Sequence, residues 1–195
     1  MKSVIEKYKD PFIAVYIDLT AAYDHIPRDF LFRALEFQTG ASFLFHILQL
    51  MYRRTTASIK GMKTKFDILV GCRQGGQESP VVFNYYFEFI LKVSAAEIDK
   101  AFPNGWGLEF AFDIPGYFSN RSQRSRGKLD GTEIIKWILY ADDVVLFARS
   151  IQEAERLLTI IHNTCKRFGL TISFNKTKTQ AFKDTTIMNL PSLIW

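Results

Sequence analysis

One short apolar stretch constrains the fold of this chain more than any other feature. Residues 12–17 read Phe-Ile-Ala-Val-Tyr-Ile, a continuous apolar run rich in β-branched and aromatic side chains, and the run stops at Asp18. A continuous run of this length is typical of a strand that is buried on both faces. The sequence therefore predicts a buried strand that ends at an acidic residue.

The composition is that of one globular domain. The chain has 195 residues, of which 48% are hydrophobic and 23% charged, and its formal charge of +5 suits a polyanionic partner without proving one. Its N-terminus lacks a signal-peptide apolar region, and no run is long enough to span a membrane. Cys72 and Cys165 show no metal-ligand spacing. We expect an intracellular protein, nuclear or cytoplasmic, that does not bind membranes.

Four segments carry helix signals. Pro27 is well placed to open the first helix and Gly40 to close it. Ser79 is the predicted N-cap of the longest helix, with Pro80 in its first turn, while Ser150 begins a capping box before the last helix. The predicted helices cover residues 27–37, 42–52, 79–100 and 151–168.

The remaining apolar runs indicate short strands. Residues 54–60 and 64–70 are predicted to form a hairpin, and 134–140 with 144–148 a second one that carries Asp142 and Asp143 at its tip. Residues 171–174 and 179–182 are predicted to finish the sheet. The weakly patterned stretch 103–131, which contains several basic residues, is interpreted as a loop insertion.

Three acids stand where a buried strand meets a turn, namely Asp18, Asp142 and Asp143. Buried carboxylates are costly without a compensating cation, and hard oxygen ligands of this kind suit Mg²⁺. If the strand before Asp18 pairs beside the hairpin, the acids converge, and two metal ions could then support an in-line phosphoryl displacement. Each acid alone could equally be ordinary turn or capping chemistry.

Four ordered motifs then resemble those of reverse transcriptases. They are IDLTAAYDHIP (17–27), GCRQGGQESPVVFN (71–84), YADD (140–143) and FGLTISFNKTKT (168–179), and the likeness is greatest to enzymes of non-LTR retrotransposons of the LINE type. The resemblance implies an α+β polymerase palm, a small antiparallel sheet backed by helices, with part of the fingers. It assigns 10–24 and 71–195 to the palm and 25–70 to a palm and fingers connection, with the thumb absent.

The resemblance also implies a catalytic set. Asp18, Asp142 and Asp143 would bind two Mg²⁺ ions, for which Mn²⁺ could substitute, and Lys178 would neutralise or protonate the departing pyrophosphate. An exposed strand lysine with no such role is the alternative for Lys178. The implied reaction is RNA-directed DNA synthesis, in which a DNA primer is extended with deoxynucleoside triphosphates on an RNA template.

Further residues would contact the nucleotide and template. Tyr23 matches the aromatic residue that lies under the sugar of the incoming nucleotide and sterically excludes a 2′-hydroxyl. An aromatic residue of the core, with no such role, is the alternative. Arg73, Gln74 and Gly75 match the loop that touches the template and incoming nucleotide, and glycine there permits close backbone approach.

The second motif departs from the family pattern at three positions. Gly76, Gln77 and Glu78 replace a sequence that usually includes a proline, and Glu78 adds negative charge near the expected triphosphate. Reduced activity is therefore an expectation. A silent relic that only binds nucleic acid is the second hypothesis, and the chain is interpreted as a fragment or degenerate copy. A viral RNA-dependent RNA polymerase is the third, disfavoured by Tyr23 and by the residue before the paired acids.

Overall fold

The computed structural model describes residues 10–61, 64–73, 75–112, 131–140 and 143–182. Within them, four helices and eight strands form an α+β fold. The helices are α1 (Arg28–Thr39), α2 (Phe43–Tyr52), α3 (Ser79–Ala101) and α4 (Ile151–Arg167). The strands are β1 (Phe12–Ile17), β2 (Thr56–Ser58), β3 (Lys65–Asp67), β4 (Leu108–Phe112), β5 (Gly131–Ile135), β6 (Trp137–Tyr140), β7 (Asp143–Ala148) and β8 (Lys178–Phe182).

The central sheet is antiparallel and has the strand order β6-β7-β1-β8. β1 is an inner strand, paired with β7 on one side and β8 on the other. Two smaller antiparallel sheets join β2 to β3 and β4 to β5. The predicted strand 12–17 is confirmed with the same bounds.

Both faces of β1 are covered, which explains why its sequence is continuously apolar. Ile13, Val15 and Ile17 belong to the large core that also contains the apolar sides of the helices. The alternate residues Phe12 and Ala14 pack on the opposite face, together with side chains from β4 and β7. Successive side chains of a strand point to opposite faces, so a strand between two apolar layers cannot alternate with polar residues.

The predicted helices are confirmed, and most of their ends follow local signals. α1 begins after Pro27 and is followed by Gly40, whose φ is +69°. The Ser42 side chain caps α2 by accepting from the Phe45 amide at 3.2 Å. Ser150 likewise accepts from the amide of the third residue of α4 at 3.1 Å.

The prediction for the start of α3 is wrong by one residue. Glu78, and not Ser79, is the N-cap, and its side chain makes no capping hydrogen bond. The Ser79 hydroxyl instead donates to the carbonyl of Arg73 at 2.5 Å. A hydrogen bond to a carbonyl of the preceding loop has therefore replaced the capping hydrogen bond that the sequence favours.

The strand predictions need correction at three places. The run 134–140 is divided at Lys136, because β5 pairs with β4 while β6 pairs with β7. β4 consequently occupies part of the predicted loop 103–131, of which 113–130 lie outside the described residues. Residues 171–174 contribute an isolated bridge, Leu19 with Ile172, and no strand. The hairpin predicted over 54–70 is present with shorter strands, β2 and β3.

None of the helices in the described ranges is long and apolar enough to cross a membrane.

His162 on α4 predicts a pH-dependent stability. Its ring lies 4.8 Å from that of Phe174, and burial, followed by the nearby charge of Lys166, lowers the pKa of His162 below its ordinary value of 6.5. The unfolded chain therefore binds more protons than the folded one below that pH, and stability should fall as the pH drops through it.

We expect the midpoint of thermal unfolding to decrease between pH 7.5 and pH 5.5, and His162→Gln to remove part of that decrease. His46→Gln, which alters an exposed histidine, is the matched control. An unchanged pH profile in His162→Gln would contradict this assignment.

Candidate active site

Two of the predicted acids lie at the same end of the central strand pair. Ile17 of β1 is opposite Val144 of β7, so Asp18 directly follows one member of the last pair and Asp143 directly precedes the other. Opposed Cα atoms in antiparallel strands are separated by about 4.5 to 5.5 Å. The fold therefore places two acidic residues that are far apart along the chain at neighbouring backbone positions.

Asp18 is half-buried and is held by the segment that precedes β8. Its carbonyl accepts from the amide of Ser173 at 2.8 Å, and its own amide donates to the hydroxyl of Thr177 at 3.4 Å. Its Oδ1 lies 3.7 Å from Nζ of Lys176. A cationic group thus partly compensates the carboxylate, in an exposed pair of small energetic weight.

Lys176 was missed by the sequence reasoning, which selected Lys178 from the same motif. Lys178 is exposed on β8 opposite Tyr16, two residues before Asp18, whereas Lys176 reaches the carboxylate itself. The motif contains both lysines at positions of the same parity, so the sequence offered no means of separating them. Only the turn over 174–176 determines which ammonium group approaches Asp18.

Two predicted site residues, Asp142 and Gln74, lie outside the described residues. Among the residues that are described, no group of three or more His, Cys, Asp or Glu side chains is arranged to hold a metal ion. The donor chemistry of Asp18 and Asp143 nevertheless suits a hard cation, because Mg²⁺ is usually held by one or two carboxylates together with water and substrate phosphate.

Tyr23 belongs to the first motif and connects it to the second. Its ring stacks on Phe83 of α3, with centroids 4.7 Å apart and an interplanar angle of 24°. Its carbonyl accepts from the Cys72 amide at 2.7 Å. The close approach requires Gly71, where φ is +81° and an added Cβ would lie 2.8 Å from the Tyr23 carbonyl oxygen.

The backbone of Arg73 is fixed by two side chains. The Arg73 amide donates to the Tyr52 hydroxyl at 3.3 Å, and its carbonyl accepts from Ser79. The guanidinium itself remains 43% exposed. Gly75 follows with φ of +80° and open space around the position of a Cβ. The loop thus presents a basic side chain from a constrained backbone.

Arg28 joins the second motif to the end of α2 and to the residues on either side of the β2–β3 hairpin. Its guanidinium donates to the carbonyl oxygens of Tyr52, Ile68 and Gly71 and to the hydroxyl of Thr55, at 2.5 to 3.1 Å. It also lies 5.1 Å from the centroid of the Tyr52 ring. Burial lowers the pKa of Arg28, but the guanidinium stays charged because an arginine side chain is protonated far above neutral pH.

A cavity of about 610 Å³ opens beside Arg28. Its lining includes Arg54 and Arg73 together with one acid, Asp24. An adjoining cavity of about 670 Å³ adds Arg53 and two further acids, Asp29 and Asp67. The two cavities therefore have a mixed lining in which arginines outnumber acids by a single charge, so a polyanion would have to bind through the arginines.

Cys72 also lines the first cavity, yet it is not a nucleophile there. Burial raises the pKa of the Cys72 thiol to about 11, so it stays protonated at neutral pH. A protonated thiol neither attacks nor binds metal effectively. The polar side chains that could act in this cavity are therefore its carboxylate and its arginines.

Two of the solved structures with a similar fold are telomerases. The apo telomerase of Candida tropicalis, truncated from the C-terminal domain, matches with a TM-score of 0.58 and 12% identity over 92% of this chain. The telomerase of Candida albicans in complex with a TWJ fragment of telomeric RNA matches with a TM-score of 0.52 and 14% identity over 94% of this chain. The chain corresponds to 32% and 29% of those two proteins. Identities this low show the fold alone.

A family model supplies the remaining evidence. The model described as "Reverse transcriptase (RNA-dependent DNA polymerase)" matches residues 2–189, nearly the whole chain. That span includes all four motifs and both strand ends that carry acids. The chain belongs to the reverse transcriptase family.

Proposed function

We propose that this chain is the palm, with part of the fingers, of an RNA-directed DNA polymerase from a LINE-type non-LTR retrotransposon. Residues 10–24 and 71–195 would form the palm, and 25–70 the connection to the fingers. The partners would be an RNA template, a DNA primer and deoxynucleoside triphosphates. The retrotransposon assignment depends on the four sequence motifs.

One observation carries the proposal. Asp18 and Asp143 stand at the same end of β1 and β7, and the chain that follows Asp18 is tied to the second motif by the hydrogen bond from the Cys72 amide to the Tyr23 carbonyl. Acidic groups positioned by neighbouring strands are suited to metal-assisted phosphoryl transfer, because that reaction depends on positioning and charge stabilisation. Reverse transcriptases as a family use divalent metal ions, and these two carboxylates with Asp142 would hold Mg²⁺.

When bound, Mg²⁺ would polarise the primer 3′-hydroxyl and neutralise charge on the phosphates. The residues of this chain would supply the positioning. The loop residues Arg73, Gln74 and Gly75 would hold the incoming nucleotide and the template. Tyr23 would lie against the sugar of the incoming nucleotide. Lys178 or Lys176 would compensate the charge of the pyrophosphate as it leaves.

The proposal is tested by primer extension. The chain, alone and joined to the fingers and thumb of a related enzyme, is given an RNA template with an annealed DNA primer, and incorporation of deoxynucleotides is measured with Mg²⁺, with Mn²⁺ and with EDTA. Metal-dependent extension is expected. Equal incorporation of ribonucleotides would instead favour an RNA-dependent RNA polymerase.

A second candidate function is nucleic-acid binding without catalysis. The observation that favours it is the altered second motif, where Glu78 places a carboxylate 3.8 Å from Arg73. The basic cavities would still bind RNA. Binding that survives EDTA, together with no incorporation by any completed protein, would support this alternative.

Replacing Tyr23 should relax sugar selection. In Tyr23→Val the ring that stacks on Phe83 is lost, and space opens where a 2′-hydroxyl would lie. We expect the preference for dATP over ATP to fall by about tenfold, the scale on which a pocket discriminates a single small group.

Tyr23→Phe is the matched control, because it keeps the ring and should keep the preference. The measurement is the ratio of kcat/KM for the two nucleotides. An unchanged ratio in Tyr23→Val would contradict the role of Tyr23.

A further inference from the structure

Glu78 occupies an unusual position in the second-motif loop. The Glu78 side chain is only 20% exposed, and its Oε1 has no accessible surface and no hydrogen bond from any described residue. The cation that approaches it is the guanidinium of Arg73, with Nη1 at 3.8 Å from Oε1. This is ion-pair distance, but it is too long for a hydrogen bond.

The carboxylate is accommodated by the absence of a side chain at Gly76. A Cβ at residue 76 would lie 2.6 Å from Oε1 and 2.7 Å from Oε2 of Glu78. Gly76 and Glu78 are two of the three positions at which the motif departs from the family pattern. The two departures are therefore coupled, because a side chain at position 76 would displace the carboxylate from its place beside Arg73.

The distance between the two side chains decides whether Glu78 orients the Arg73 guanidinium for binding or only offsets its charge. A carboxylate that orients an arginine does so through short, directed hydrogen bonds, often two of them. At 3.8 Å that orienting contribution is absent, while the electrostatic attraction remains. Glu78 thus offsets the positive charge of Arg73 without fixing the orientation of its guanidinium.

We propose that Glu78 is an internal competitor for Arg73 that weakens the binding of nucleoside triphosphates to this loop. The inference builds on the proposed function, in which Arg73 meets the incoming nucleotide. The polyphosphate is a stronger anion than one carboxylate and displaces it, at a cost in affinity. Glu78 is accordingly a specificity-determining residue that sets the nucleotide concentration at which the chain works.

The test is direct binding of dATP to the full chain, with Mg²⁺ and without primer or template, measured by calorimetry. Glu78→Gln should lower the Kd by about three- to fivefold, in keeping with the modest strength of half-exposed ion pairs. Glu88→Gln makes the same change in net charge three turns further along α3 and should leave the Kd unchanged.

A double-mutant cycle separates competition from general repulsion. With Arg73→Gln in place, Glu78→Gln should gain little, since no guanidinium remains to be released. An equal gain in both backgrounds would overturn the proposal, as would an unchanged Kd in Glu78→Gln or undetectable dATP binding in every variant.

Gly76→Ala provides an independent variant, because φ at Gly76 is not in the left-handed region. It should push the carboxylate away and raise dATP affinity in the parent chain but not in Glu78→Gln. A gain in both backgrounds would contradict the coupling.

Primer extension by the same variants distinguishes this inference from the proposed function. Glu78→Gln should lower KM for the nucleotide at constant kcat. Extension with an unchanged Kd would overturn the competitor role and leave the polymerase standing. If Glu78→Gln bound dATP more tightly but no completed protein extended a primer, the competitor role would stand and the polymerase assignment would be overturned.

Discussion

Asp18→Asn should abolish templated incorporation while leaving the fold intact. Asparagine keeps the shape of the side chain but removes the charge that a divalent cation needs, and loss of a group that acts directly on the reacting atoms reduces rates by roughly a thousandfold or more. The same loss is expected for Asp142→Asn. Asp143→Asn should also reduce activity, since Asp143 adjoins the same strand end.

The fold should survive because Asp18 contributes little to stability. The ion pair that the structure shows for Asp18 is the one with Lys176, whose side chain is 69% exposed. Pairs of this kind contribute at most about 1 kcal/mol. Circular dichroism and the unfolding midpoint should therefore be nearly unchanged.

Glu36→Gln is the matched control for loss of one negative charge, because Glu36 is exposed on α1. It should retain parental activity. Full extension by Asp18→Asn would refute the assignment of the active site.

Arg28→Met should cause the largest loss of stability among the substitutions considered. It removes the donor that the carbonyl oxygens of Tyr52 and Gly71 now share, and leaves the Ile68 carbonyl with the Thr55 hydroxyl as its remaining donor. Hydrogen bonds to charged groups contribute more than neutral ones, and unsatisfied polar groups are costly. We expect a loss of about 2 to 4 kcal/mol in the free energy of unfolding, discounted because the site is half-exposed.

Chemical denaturation measures this loss, and the thermal midpoint should fall by about 5 to 15 °C for a protein of this size. Arg28→Lys should recover only part of it, because an ammonium group keeps the charge but cannot span four acceptors in a planar fork. Arg33→Met alters an exposed arginine on the same helix and should be nearly neutral. Equal stability of Arg28→Met and Arg33→Met would show that Arg28 is not a structural link.

Arg28→Met should also affect nucleotide binding indirectly. Arg28 holds the carbonyl of Gly71, and Gly71 precedes the Cys72 amide that binds the Tyr23 carbonyl. Loosening that connection would let the two motifs move relative to each other. Arg28 is therefore a positioning residue in this fold.

Much of the fold could be predicted from the sequence because its signals are local. The strand 12–17 is apolar throughout because both its faces are covered, and that pattern is visible without any knowledge of what covers them. α4 begins at a capping box whose partners are three residues apart. The family was also recognisable, since four motifs occur in the expected order.

Other features could not be predicted because competing contacts outside the local helix and strand signals decide them. Ser79 is a residue type that favours the N-cap position, yet its hydroxyl donates to the carbonyl of Arg73 in the preceding loop. The run 134–140 looks like one strand, but its first half pairs with β4, which the sequence placed in a loop. Arg28 carried no signal at all, because three of its four acceptors are backbone carbonyl groups.

The sequence by itself determined the family, the buried central strand, the helices and the chemical nature of the candidate site. Only the tertiary structure decided which residues become neighbours: Asp18 and Asp143 at one end of β1 and β7, Lys176 in place of Lys178 at the Asp18 carboxylate, and Glu78 over Gly76 near Arg73. The physical reason is the distance along the chain over which each kind of interaction acts. Periodicity and caps act within a few residues along the chain, whereas the approach of two side chains depends on strand register and loop path, which the whole core sets together.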